Sequence, residues 1–236
     1  MDTIVRKGIL MGKVTIMPAT VKQPLSFMGE CAGPAYGSDT SSPEKNYKRG
    51  LTCVKDGHGR LLEFCDVFLK IEGYSARVMR EFMRHVGDGL TAIERSTRYC
   101  SEENFEYYTP PYIEKNLELK GNYDKIMNHI QEAYSELVIN GVAKEDAANI
   151  LPLGMTTMVV MKKNARCLSD MAQVRLCNRA YVEYRQLMKD IIQALRAYSP
   201  EWNTLADEIF KCKCDRVGFC EEKFSCGRYP KKEIDN

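Results

Sequence analysis

Over residues 62–71 the chain follows the two-residue period of a strand. Cys65, Val67, Leu69 and Ile71 share an apolar face, and Asp66 and Lys70 interrupt the other. Just past Gly73 the period becomes helical. Tyr74, Val78 and Phe82 then lie on one face, while Arg77, Glu81, Arg84 and His85 gather on another, before Gly87 and Gly89 break the pattern. A half-buried strand passing directly into an amphipathic helix is the strongest constraint on the fold. Glu63 heads the apolar face of that strand, where a carboxylate is costly unless something pairs with it.

The remaining segments follow the same two periods. Residues 14–17 read as a short β-branched strand, and residues 33–43 as a loop rich in Gly, Ser and Pro. Ser42 caps a helix that carries Pro43 and Glu44 in its first turn, runs toward Lys55 and stops at Gly57. The longest helix is predicted over residues 122–140, with Tyr123, Ile126, Met127, Ile130, Tyr134, Leu137 and Val138 as its core stripe and Gly141 as its stop. A short helix over 144–150 ends before Pro152, and 155–161 reads as a buried strand. Asn164 then opens a final long helical region reaching about Tyr198. With no internal repeat and no alternation of strand and crossover helix, the fold class is α+β, a central and mostly antiparallel sheet with long packed helices. The expected division is a main domain at 1–200 and a Cys-rich tail at 201–236.

At 236 residues, 44% hydrophobic and 28% charged, the chain has apolar material for a core, which excludes intrinsic disorder. Its 34 Lys+Arg against 32 Asp+Glu leave a net charge of +2, so a nucleic-acid reader would need a local basic site, and none is expected. No stretch approaches the roughly 20 apolar residues of a membrane span. The charged amino-terminal stretch lacks an apolar signal core, so a reducing cytoplasm is the expected setting, in which cysteines are mostly thiols or metal ligands.

Three polar clusters carry candidate chemistry. In the first, Arg84-His85-Val86 precedes Glu94-Arg95-Ser96-Thr97-Arg98-Tyr99. Guanidinium groups suit bidentate contact with phosphate or a planar imide, and Glu94 and Ser96 suit sugar or base edges. The plain alternative is a solvated charged loop. A second cluster, Asn164, Arg166, Asp170, Arg175 and Arg179, has the spacing of a helix N-cap followed by i, i+4 surface pairs. A third is the glycine-flanked turn Gly57-His58-Gly59-Arg60 that leads into the strand, where a lone histidine is more often structural than catalytic.

In this order the clusters resemble the flavin-dependent (alternative) thymidylate synthases. That family carries an RHR-x5-E-x-S-x-R-Y signature, preceded by a GH-x-x-x-E-H turn and followed by LPL and NAR-x-L…LR segments. Here these are Gly57-His58…Glu63-Phe64, Arg84-His85-Val86-x7-Glu94-x-Ser96-x-Arg98-Tyr99, Leu151-Pro152-Leu153 and Asn164-Ala165-Arg166-Cys167-Leu168…Val174-Arg175, spanning residues 14–198. The resemblance implies that family's fold and a cytoplasmic homotetramer with active sites between subunits. It further implies FAD as cofactor and a methyltransferase reaction converting dUMP to dTMP, with methylenetetrahydrofolate and NADPH as co-substrates. By position, Arg60, Arg84, His85, Val86, Asn164, Ala165, Arg166 and Asp170 fall in the cofactor-binding set. Glu81, Arg84, Glu94, Arg95, Ser96, Thr97, Arg98 and Arg175 fall in the nucleotide set. Arg175 matches the arginine that stabilises the ionised N3 of the uracil, so it is the expected catalytic residue. Reduced flavin supplies the hydride, so Ser96 is a nucleotide ligand rather than an alkoxide.

The departures from the pattern are specific. Val86 replaces a third basic residue, the loop before Glu94 is two residues longer, and Ala148 stands where a phosphate-binding arginine is usual. Glu81 replaces a glutamine, Arg179 a frequent histidine, and Phe64 the histidine of the EH pair. Without an arginine at 148, Lys162, Lys163 or Arg95 is the expected substitute cation. The rival readings are a flavoenzyme of the same fold acting on another pyrimidine nucleotide or one-carbon adduct, and a non-catalytic nucleotide-binding relative with a zinc-binding tail. Cys212, Cys214, Cys220 and Cys226 close the sequence with three readings open: a Zn²⁺ site, redox-active thiols, or unligated cysteines.

Overall fold

A computed structural model describes residues 12–232. The amino-terminal stretch read above for a signal lies outside them as far as Met11. The first elements are β1 (Lys13–Ile16), α1 (Pro24–Ala32) and α2 (Pro43–Lys55), with a 3-10 turn at Gly59–Phe64 before β2 (Asp66–Ser75). Then follow α3 (Ala76–Phe82), β3 (Thr91–Glu94), α4 (Pro111–Glu114), α5 (Leu117–Ile139), α6 (Lys144–Ala147) and β4 (Thr156–Asn164). The chain finishes with α7 (Ala165–Arg175), α8 (Val182–Tyr198), α9 (Pro200–Ile209) and α10 (Lys213–Val217). The strands form one sheet in the order β1-β2-β4-β3, antiparallel as expected for the α+β class.

The backbone groups into two compact units interleaved in sequence. Among the described residues, one comprises 12–13, Ile71–Arg84 and Ala92–Val160; the other comprises Val14–Lys70, His85–Thr91 and 161–232. In the first unit, Phe105, Met127 and Met155 form a buried cluster against which Tyr107, Tyr123, Ile130 and Leu151 pack. In the second unit, α8 buries Tyr184, Leu187, Met188, Ile191 and Leu195, and α7 buries Leu168, Met171 and Ala172. Helix α9 belongs to this core too. Trp202 is fully buried, and its indole N–H donates to the Val21 carbonyl at 2.8 Å.

Several local expectations hold residue by residue. Ser42 caps α2 by accepting from the Lys45 amide, and Asn164 caps α7 by accepting from the Cys167 amide at 2.8 Å. Cys65, Val67, Leu69 and Ile71 are all fully buried. Other expectations need correction. The strand begins at Asp66 rather than 62, because residues 59–64 coil into the 3-10 turn, and Glu63 therefore lies outside the apolar face. Helix α5 starts earlier than residue 122, where the Asn116 side chain caps the amides of Glu118 and Leu119, and it exposes Ile126. The helical region after Asn164 is two helices, broken between Arg175 and Val182. Arg175 ends α7 and Arg179 lies in the break, so they are not an i, i+4 pair. The strand at 155–161 alternates in burial, with Met158 partly open.

That alternation places Lys163 among the buried positions of β4, with its side chain fully enclosed. Its ammonium donates to Asp88 Oδ1 at 2.9 Å, to the His85 carbonyl at 2.6 Å and to the Gly89 carbonyl at 3.3 Å. The second Asp88 oxygen accepts from the Asn164 amide at 2.6 Å. One buried cation thus pins loop 85–91 to the start of α7. Removing either partner strands a buried charge, so Lys163→Met should cost about 3–5 kcal/mol. Pairing it with Asp88→Leu should recover most of that loss; urea unfolding of wild type, single and double variants is the measurement.

Candidate active site

The second unit brings together most of the expected cofactor residues. Its 3-10 turn packs on α7, placing exposed Arg60 beside the first turn of that helix. Arg166 Nη1 reaches Glu63 Oε1 at 3.3 Å, which supplies the partner that the sequence required for this carboxylate. It does not pair with Asp170, which instead accepts from Gln173 at 3.1 Å. Gly59 is what lets the guanidinium lie against the turn, since a Cβ there would come within 3.0 Å of Arg166 Nη1. Asn164 spends its side-chain oxygen on the helix cap, Ala165 is buried behind it, and Val86 is exposed. Exposed Arg166 in the first turn of α7 and exposed Arg60 in the adjoining turn put two cations near a helix N-terminus, a donor set of the right sign for the anionic linker of FAD.

At the other end of α7 sits Arg175. Its Nη2 lies 3.4 Å from His85 Nε2, and its guanidinium carbon lies 4.3 Å above the ring of fully buried Tyr184, the first aromatic residue of α8. His85 also meets Tyr184 edge-on, with ring centroids 6.2 Å apart at 84°. Burial, then the nearby Arg175 and Lys163 cations, hold His85 below its ordinary pKa of 6.5, so its imidazole is neutral near pH 7 and available to accept. The surroundings thus leave Arg175 as a restrained cation.

The first unit holds the expected nucleotide residues Glu81, Arg84 and Glu94 through Arg98. Glu81 lies in the last turn of α3, 4.0 Å from Arg77, and Arg84 follows that helix exposed. Glu94 ends β3; desolvation raises its pKa, offset in part by a hydrogen bond with Thr157. Arg95 Nε donates to buried Glu102 at 2.6 Å, and Arg98 pairs with Glu145 at 3.0 Å. Ser96 Oγ accepts from the Arg98 amide at 3.3 Å, which shapes the turn holding Thr97. Ala148 lies in the 3-10 turn after α6. Of the three cations expected to replace its missing guanidinium, Lys162 is paired with Asp66, Lys163 with Asp88 and Arg95 with Glu102.

Residues 211–232 dock onto α7 rather than trailing from it. Arg216 donates to Ser169 Oγ and to the Ile209 carbonyl, Arg179 pairs with Glu222, Arg228 with Asp215, and Lys213 with Glu221. Between the tail and the chain after α7 lies a cleft of about 270 Å³, lined by Cys177, Cys212, Cys214, Cys220 and Cys226 among others. All ten cysteines are free thiols. Cys212 and Cys214 approach to 3.6 Å, and burial with that contact pushes Cys212 up to about 11. Among the described residues no three Cys, His, Asp or Glu side chains are arranged to hold a metal ion.

Sequence reading missed Asp88, Lys163 as an anchor, Glu102 and Tyr184. A signal for Lys163 was present: it falls in phase with Met161 on the buried face of its strand, where a lysine demands a carboxylate. The His85 environment is directly measurable. Its ring protons should titrate below 6.5 in an NMR pH series, and Arg175→Ala should move the midpoint upward. Because the native state resists a proton that the unfolded chain accepts, stability should fall as pH drops from 6.5 toward the depressed native value.

Residues 20–201 match the family described as thymidylate synthase complementing protein. A flavin-dependent thymidylate synthase of Nitratidesulfovibrio vulgaris is 28% identical over 190 residues, covering 76% of this chain and 75% of the relative. The enzyme of that name from Pyrococcus furiosus is 30% identical over 229 residues, covering 90% and 91%. One from Clostridium tetani is 24% identical over 206 residues, covering 79% of each chain. With the matched region reaching from before α1 into α9, and so across both ends of α7, this chain belongs to the thymidylate synthase complementing protein family.

Proposed function

We propose that the protein is a flavin-dependent thymidylate synthase that methylates C5 of dUMP, with FAD as cofactor, methylenetetrahydrofolate as the one-carbon donor and NADPH as the reductant. The observation that carries the reading is Arg175, a guanidinium restrained at the end of α7 by a neutral imidazole and an aromatic face. A fixed cation beside the pyrimidine N3 stabilises its ionised form and raises electron density at C5, where the new bond forms. FAD, once reduced, supplies the hydride for this chemistry, so the protein need provide no nucleophile.

The chain's own residues then have separable tasks. Arg60 and Arg166, with the first turn of α7, hold the cofactor diphosphate, and Asp170 lies one turn further along the same helix. Asn164 and Ala165 set the start of that helix, and His85 and Val86 would complete the set of residues that hold the cofactor. Glu81, Arg84, Glu94, Arg95, Ser96, Thr97 and Arg98 serve the nucleotide. The family resemblance supports a homotetramer in which more than one chain contributes to each site. Among the described residues no helix is long and apolar enough to cross a membrane, which is compatible with the cytoplasmic setting proposed here.

Absorbance of the purified protein after addition of FAD, followed by titration with dUMP, tests the assignment. Flavin absorbance should be retained on gel filtration and perturbed by dUMP; failure to bind flavin would overturn the proposal. Arg175→Ala should lower turnover by about 100-fold or more while the flavin remains bound.

A further inference from the structure

We propose that Tyr184 is the positioning residue for Arg175, and that it acts through the face of its ring. This inference rests on the synthase reading above and names a residue that reading does not use. Arg175 is the last residue of α7, where the backbone has begun to leave the helix. Its long side chain has rotamer freedom to lose before it can serve as a fixed charge. Tyr184 sits in the first turn of α8, fully buried, and presents its ring 4.3 Å from the guanidinium carbon. The ring also takes the edge of His85, whose Nε2 lies 3.4 Å from Arg175. One aromatic side chain therefore sets both the arginine and the imidazole that touches it.

The chemistry of the restraint suits the task. A ring quadrupole attracts a cation without carrying a formal charge, so it orders the guanidinium without itself neutralising it. The neutral His85 imidazole does the same from the side. Tyr184 itself, fully buried beneath the guanidinium, is a positioning residue and not a catalytic one.

The test uses the holoenzyme, with Tyr184 replaced in turn by Phe, Met and a series of ring-fluorinated phenylalanines. Fluorination drains the ring face while keeping its shape, so the fluorinated series stays informative should Tyr184→Met fail to fold. Turnover should be near wild type in Tyr184→Phe and fall stepwise with fluorination by a total of about 2- to 30-fold, the range of a cation–π contact. FAD binding should stay constant, and the pH at which bound dUMP loses its N3 proton, read by ultraviolet difference absorbance, should rise in the same order. A flat response of both turnover and N3 ionisation across the fluorinated series would overturn the positioning role. Absence of dUMP turnover in the wild-type protein would instead overturn the synthase reading, so the two failures are distinguishable.

Discussion

The organisation of the second unit depends on one buried ion pair. Lys163 is enclosed on β4, and its ammonium finds Asp88 and two backbone carbonyls of loop 85–91, while Asp88 also takes the amide of Asn164. Desolvating two charges is expensive, and the cost is offset only when every remaining hydrogen-bonding position is used. Here four contacts of 3.3 Å or less meet that condition. The pair fixes the backbone of His85 and the entry to α7 together, so both ends of the candidate site inherit their positions from it.

From that anchor the chemistry divides along α7. At its start, Arg166 and the neighbouring Arg60 face solvent at a helix N-terminus, an arrangement suited to a polyanion. At its end, Arg175 meets the His85 imidazole and the face of the Tyr184 ring. Exposed guanidinium groups such as Arg166 tolerate a carboxylate such as Glu63, because water screens the pair.

Much of the framework was legible because it rests on local rules. Ser42 and Asn164 announce helix starts through cap chemistry, and the run through Cys65, Val67, Leu69 and Ile71 announces a buried face through period two. The same rules failed where a tertiary contact competed. Glu63 looked like the head of a strand until Arg166 and the 3-10 turn took it, and Ile126 fits the helical stripe yet faces solvent. The tail cysteines form a candidate ligand set in the sequence by number alone, and it is folding that brings Cys212, Cys214, Cys220 and Cys226 to the wall of one cleft.

The sequence by itself determined the α+β class and the order of its polar motifs, because periodicity, capping and residue spacing act over a few residues; the arginine proposed to activate the substrate was named by the resemblance those motifs carry. Only the tertiary structure decided which charges are committed to one another. Lys162, Lys163 and Arg95 read alike as spare cations, yet each is paired with a carboxylate of its own. Tyr184 carried no signal either, since a tyrosine early in a helix becomes a support for Arg175 only once α7 and α8 pack together. Electrostatic and aromatic contacts depend on distances of a few ångströms between segments remote in sequence, and only folding sets those distances.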